Sequence, residues 1–334
     1  MNSPTMLICS VHHCYLTLDV FGEKYLCREG CSFPIIDNIP RFVSSENYAS
    51  SFGLQWNKYR TTQLDSFTGT SISKDRLTRL IGGSLDVLKG KKILEAGCGA
   101  GRFTEILLAA GAHVFAIDLS VAVKANYQNC IKYSNYFVCQ ADLCKIPLKP
   151  EYFDVVICIG VIQHTPDPEQ TIISLCTQVA PGGLLVIDHY TYKNRYTSPT
   201  RRLLRTFLKR MPKTFSFQFC RMLTLLLWPL HRISWEYRRF LIVKKMRTML
   251  CRFLSPVNDY HEVHPELGAR LLKEWALLDT HDSLTDFYKH LRSSEDIDLY
   301  LRKNGMVDIE AVYVGNKVEA RARKPPDRSL LLEI

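Results

Sequence analysis

Between Lys91 and Tyr190 short apolar runs alternate with segments of helical spacing, and this alternation restricts the fold more than any other feature of the chain. "KKILEAG" reads as a buried strand, "GRFTEILLAAG" as a helix, "HVFAIDLS" as a strand and "VAVKANYQNC" as a helix. "NYFVCQADL" and "FDVVICIGV" follow as strands, "PEQTIISLCTQV" as a helix begun at Pro168, and, after a Pro181-Gly182-Gly183 turn, "GLLVIDHY" as a strand. Alternation of this kind needs right-handed crossovers and predicts a doubly wound α/β fold with a parallel sheet. Farther on, "SSEDIDLYLRKNG" reads as a helix opened by Ser and closed by Gly. Two strands, "VDIEAVYV" and "VEARAR", then meet at a Gly-Asn turn and are expected as an antiparallel hairpin.

The first strand runs into Gly97-Cys98-Gly99-Ala100-Gly101, a turn whose bare backbone lets a ligand approach the start of a helix. A dinucleotide fingerprint would place a third glycine at position 102, where this chain has Arg102. One strand–helix–strand step later Asp118 closes its strand, where a carboxylate can grip ribose hydroxyls. Asp142 closes the third strand, with Leu119 and Leu143 placed to flank a ring, and Asp154 opens the fourth.

Taken in order, "EAGCGAG", "AIDLS", "QADLCKIPL", "FDVVICIGVIQH" and the Pro-Gly-Gly turn resemble the class I S-adenosylmethionine-dependent methyltransferases of the type 11 kind, over roughly residues 90 to 190. The resemblance implies a Rossmann-like sheet of seven strands with the last hairpin antiparallel, and S-adenosylmethionine as cofactor. It implies further that Glu95, Gly97, Gly99 and Gly101 line the methionine and ribose side, with Gly160 also among the cofactor-binding residues. Asp118 would take the ribose, and Asp142 with Leu143 the adenine, whose ring Leu119 would also flank. Cys98 is read as packing. The helix expected over "YASSFGLQWNKY" would close over the cofactor, with Phe52 and Trp56 as packing anchors.

Methyl transfer to a hydroxyl or an acidic carbon needs a positioned base near the sulfonium. His164, just past the fourth strand in "VIQHTPDP", is the first candidate, because imidazole accepts a proton near neutral pH. His189 and Tyr190, ending the fifth strand, stand in reserve, and Asp188 reads as a strand cap. "NDYHEVHPE" and "DTHDSLTDFYKH" are expected in a lid, with Tyr288 or His264 touching the acceptor. Asp279 and Asp282 read there as solvated loop acids rather than ligands of a metal held with His261 and His264.

Cys9, His12, Cys27 and Cys31 flank a hairpin expected over "YLTLDV" and "KYLC", and four soft ligands at this spacing suit tetrahedral zinc. With "FPIIDNIPRF", residues 7 to 43 resemble the zinc-ribbon domain of small partner subunits of transfer and ribosomal RNA methyltransferases. The pattern departs from that family at its second ligand, which is either His12 or Cys14. Zinc here would be structural, since four protein ligands leave no open position.

The charge of +10 is unevenly placed. Residues 193–252 hold sixteen Lys and Arg and a single acid, Glu236, interleaved with Leu, Phe and Trp and broken at Pro212 and Pro229. No apolar run there is long enough to span a bilayer, but cationic amphipathic helices can lie on an anionic membrane surface. A lid around an apolar pocket, an oligomer contact and an RNA surface are the alternatives. No basic-then-apolar leader opens "MNSPTMLICS", and twelve scattered cysteines, several inside strand-like runs, favour a reducing cytoplasm, with the inner membrane surface as a second location.

The expected organisation is a zinc-ribbon-like module at 1–45, a cofactor-binding core with its cover helix at 46–190, a helical cap at 191–290 and the rest of the core at 291–334. The expected reaction is methylation of an O or C atom of a small lipophilic or anionic acceptor, with an RNA methyltransferase as the rival reading.

Overall fold

The computed structural model describes residues 6–193 and 198–327. The first five residues, read above for a leader, positions 194–197 of the basic segment and 328–334 lie outside the described residues.

The chain opens with four short antiparallel strands, β1 (Thr17–Leu18), β2 (Lys24–Leu26), β3 (Ser32–Ile36) and β4 (Ile39–Pro40). The expected hairpin is β1 and β2, turned at Asp19, whose carboxylate accepts from the Glu23 and Lys24 amides. This small sheet does not stand apart. Leu7 bridges Leu148, the Phe42 amide donates to the Gln140 carbonyl, and Met6, Leu7, Tyr25 and Cys27 share one apolar cluster with Leu94, Ile117 and Val156. A unit too small for its own core thus borrows the core of its neighbour.

Three helices follow, α1 (Ser50–Lys58), α2 (Asp65–Thr68) and α3 (Ile72–Ile81). Then come β5 (Lys92–Ala96), α4 (Thr104–Ala109), β6 (His113–Asp118), α5 (Val123–Cys130), β7 (Tyr136–Gln140), β8 (Phe153–Cys158), α6 (Pro168–Gln178) and β9 (Val179–Tyr190). β7, β6, β5, β8 and β9 lie side by side and run parallel. Their side chains alternate between two buried faces, Leu94, Ile117 and Val156 on one and Ile93, Val114 and Val155 on the other, as a sheet covered on both sides requires. β9 begins at Val179, earlier than expected. Main-chain bonds from Gly182 to Lys324 and from Lys324 to Gly183 carry the ladder through the Pro-Gly-Gly turn.

The basic segment is helical, with α7 (Pro199–Leu208), α8 (Lys213–Glu236) and α9 (Leu241–Met249) running into a π turn over Leu250–Leu254, and α10 (Gly268–Thr285) follows it. Pro212 separates α7 from α8 as expected, but Pro229 does not break α8. Trp228 and Phe217 are buried against α10 through Trp275 and Leu277, and that packing outweighs the lost helical bond. α11 (Ser294–Lys303) opens with a capping box between Ser293 and Asp296 and leads into the hairpin of β10 (Val307–Val314) and β11 (Lys317–Arg323). β11 joins β9 antiparallel, so the sheet has seven strands ordered β10-β11-β9-β8-β5-β6-β7. This is a Rossmann-like α/β fold whose carboxyl strand ends face α1, α10 and the segment between β8 and α6.

Candidate functional site

A cavity of about 240 Å³ lies over those strand ends. Its floor is the turn after β5, where Gly97 (φ +80°), Gly99 (+50°) and Gly101 (+99°) all take left-handed conformations. A Cβ on Gly97 would fall 2.3 Å from a Val161 methyl, so both backbone angle and space require glycine there. The Gly97 and Cys98 amides donate to the Ile117 carbonyl. The Gly99 amide donates to Asp118 Oδ2 at 2.9 Å, and Asp118 Oδ1 accepts from the Ser120 amide and hydroxyl. Asp118 therefore holds the turn in shape while lining the cavity, and burial holds its carboxyl above the usual range.

Gly97, Gly99, Asp118, Leu119, Leu143 and Gly160 all line the cavity, whereas Glu95, Gly101 and Asp142 do not. Glu95 lies beneath the turn, 3% exposed, accepting from the Thr104 hydroxyl at 2.6 Å, and burial pushes its carboxyl up to about 8. Gly101 faces Cys130 and Asn126 of α5, which leave little room for a side chain. Asp142 turns its Oδ1 to the Cys144 amide and closes a local turn instead.

His164 and Tyr190 line the wall, and their rings meet edge to face. His164 ends a short turn, Ile162–His164, with Nδ1 3.2 Å from the Tyr288 carbonyl and 3.4 Å from Asp286 Oδ2. That carbonyl can only accept, so Nδ1 carries the proton and Nε2 is left as the basic nitrogen. His189 takes the opposite side of β9, as strand alternation demands: it is buried, its Nδ1 lies against the Tyr190 carbonyl, and it is absent from the cavity wall.

The cover helix is α1, which brings Phe52 and Trp56 to the wall. Asp279 and Asp282 correct the sequence reading most clearly. They sit on α10, three positions apart on one helical face, and both line the cavity rather than a solvated loop. Burial, then the neighbouring Asp282, pushes Asp279 up to about 7, and burial also raises Asp282. Tyr288 serves through its main chain, and His264 pairs with Glu266 away from the wall.

Four cationic side chains reach the same cavity without having been anticipated: Arg60, Arg76, Arg102 and Lys317. Arg76 and Lys317 pair with buried Asp188, whose Oδ1 accepts from the Gly160 amide. Burial alone would raise Asp188, yet Lys317 and Arg76 hold it down at about 2. Arg102 donates to Ser73 and Gln63, and burial, then Arg76, lowers it to about 10. Only Arg102 left a trace in the sequence, as the residue at the missing third glycine.

In the N-terminal module the His12 Nδ1 lies 3.8 Å from Cys9 Sγ, 3.3 Å from Cys27 Sγ and 3.4 Å from Cys31 Sγ. A tetrahedral zinc with bonds of about 2.3 Å to sulfur and about 2.0 Å to nitrogen has N-to-S edges of about 3.6 Å, which this donor set fits. Cys14 Sγ also sits 3.1 Å from Cys27 Sγ, keeping it within reach of the same centre. Deep in the cap, Ser255, His231 and Asp259 are hydrogen-bonded in series. His231 and Ser255 are sealed and line neither cavity described for this chain, so the series ties α8 to the segment before α10.

Residues 94–187 match the family model of a methyltransferase domain. Over 101 residues the chain is 33% identical to a ubiquinone biosynthesis O-methyltransferase of Coxiella burnetii, covering 29% of this chain and 43% of that protein. Over 100 residues it is 36% identical to the protein of the same name from Methylococcus capsulatus, covering 29% and 42%. The chain thus spans less than half the length of these relatives. A solved S-adenosylmethionine-dependent methyltransferase from Aquifex aeolicus superposes with a TM-score of 0.43 at 15% identity, covering 83% of this chain and 98% of that one.

Proposed function

We propose, from the premise that residues 94–187 are a methyltransferase domain, that this chain transfers the methyl group of S-adenosylmethionine to an oxygen of a small acceptor carrying apolar surface. The observation that carries the reading is the joint placement of the glycine turn, Asp118 and His164 on one cavity. Asp118 would hold ribose hydroxyls, Leu119 and Leu143 the adenine faces, and Arg76, Arg102 and Lys317 the donor's carboxylate. The cofactor supplies a methyl carbon on a sulfonium, already a good electrophile. What the chain must add is position and proton removal.

His164 suits that second task. With Nδ1 fixed on the Tyr288 carbonyl, Nε2 would be free to take the proton of the acceptor hydroxyl while the methyl group passes from the donor's sulfur to that oxygen, the sulfur leaving as the neutral thioether of S-adenosylhomocysteine. Asp286, itself held by Arg205 and Lys289, stabilises the imidazolium that forms. Phe52 and Trp56, with Tyr48, keep water from the site. Calorimetry with S-adenosylhomocysteine tests the cofactor assignment, and absence of binding by the full chain would end it.

We assign an anionic membrane surface as the partner of the cap. Phe207, Phe215, Leu226, Leu241, Ile242 and Met246 of α7, α8 and α9 are all exposed, among the bases of the same segment. Among the described residues no helix is long and apolar enough to cross a membrane, so these side chains suit shallow insertion. A phosphate-tracking RNA groove would not expose so much aliphatic surface. Flotation with phosphatidylglycerol vesicles, but not phosphatidylcholine vesicles, is the expected result.

Structural zinc on Cys9, Cys27, Cys31 and either His12 or Cys14 completes the reading. Metal analysis of the purified chain should give one zinc per molecule, and Cys9→Ser should release it.

A further inference from the structure

A second cavity, of about 400 Å³, lies behind the first, between α7, α10 and the end of β9. The two share three wall residues, Tyr190, Asp279 and Asp282, so a molecule whose reactive group faces the methyl donor can extend into the second. The second cavity is not an apolar slot. Among the described residues its only aliphatic lining residue is Leu291, and four cations, Arg201, Arg202, Arg205 and Lys289, face it together with hydroxyls and amides.

The charges there do not balance internally. Arg205 and Lys289 share one carboxylate, Asp286. Arg201 turns part of its guanidinium to the main-chain carbonyls of Pro256 and Val257, which engage its Nε and Nη2 without neutralising it. Arg202, exposed at the mouth, makes no ion pair among the described residues. Burial raises both acids on the shared wall, which weakens the offset they give these cations. Asp282 Oδ1 is also out of reach of solvent and has no hydrogen-bond partner among the described residues. Such an atom next to the methyl donor wants a donor group from a ligand.

We infer that the second cavity holds an oxyanion, phosphate or carboxylate, carried by the methyl acceptor, while the acceptor's hydroxyl passes Asp282 to reach His164. This rests on the first cavity being the methyl-donor site. The acceptor is then two-ended, with an anionic group fixed by Arg201 and Arg202 and the methylated oxygen one cavity away. Arg202 is a specificity residue in this arrangement, and no proton transfer depends on it.

Inorganic phosphate is the probe, titrated by calorimetry into the full chain loaded with S-adenosylhomocysteine. Saturable millimolar binding is expected, weakened about tenfold or more by Arg202→Glu, since a charge-assisted hydrogen bond is lost and repulsion added. Arg210→Glu, the same charge change at an exposed position outside both cavities, should leave it unaltered. Absence of phosphate binding, or equal weakening by both variants, overturns the inference, and the latter marks an adventitious ion only. S-adenosylhomocysteine affinity is read in the same samples. Its loss would sink the methyltransferase reading, whereas its retention without a phosphate site sinks only this one.

Discussion

The two walls of the first cavity are built by different physics. On the sheet side, the shape is set by main chain: the left-handed glycines after β5, the amide of Gly99 on Asp118 and the strand ends themselves. On the cap side it is set by Asp279 and Asp282, sent in from α10, a helix whose end is tied to α7 by the Arg205–Asp286 ion pair. A wall of backbone tolerates almost no change in residue size but leaves chemistry to its neighbours. A wall of ionisable side chains tolerates change in shape and is sensitive to charge and pH.

That contrast can be broken most sharply at His164, which belongs to the sheet side by position and to the cap by its bonds. His164→Ala should lower turnover by about 10²–10⁴-fold while S-adenosylhomocysteine affinity stays unchanged, because general-base assistance is lost and the donor contacts are kept. Near-normal turnover would leave the backbone wall as the whole catalyst. Next in size is Gly97→Ala. Left-handed strain and the approach to Val161 should together cost about 3 kcal/mol in a denaturant titration and abolish cofactor binding.

The cap side should reveal itself through pH. Asp279 ordinarily titrates near 3.8 and in the fold is pushed up to about 7, so folding takes up a proton between those values. Its contribution to stability is complete below about pH 4 and is lost as pH rises through about 7. Asp279→Asn should flatten that part of the stability profile, and an unchanged slope would show that the cap acid is not buried in solution. Asp188 behaves oppositely. Its carboxyl is held at about 2, so its contribution is present above pH 3.8 and fades as pH falls through about 2. The smallest effect belongs to the exposed cap face, where Leu226→Ser should alter stability by about 0.5 kcal/mol or less yet weaken vesicle flotation. A large loss of stability would mean that this face is packed.

Much of the sheet side was legible in the sequence. Periodicity gave β5 to β9 in order, the Ser293 cap and Gly305 bounded α11, and the spacing of glycines and Asp118 located the floor of the cavity. Within that stretch the sequence did not show depth: Glu95, Gly101 and Asp142 lie at or beside the strand ends without lining the cavity, and only folding decides which atoms of a tight turn face outward. His189 and Tyr190 differ by one position, and strand alternation sent one to the wall and the other away from it.

The cap was far less legible. Its bases and aromatics could be counted, but amphipathic helices with several apolar stripes do not announce which one is buried, so Pro229 was read as a break and Asp279 and Asp282 as loop acids. The chain alone determined the α/β core and its glycine turn, because those depend on local periodicity and on backbone angles that only glycine adopts readily. Tertiary structure decided which charges meet: Arg76, Asp188 and Lys317 lie far apart in sequence, as do Arg201 and Asp282, and no local preference encodes a distance across the fold.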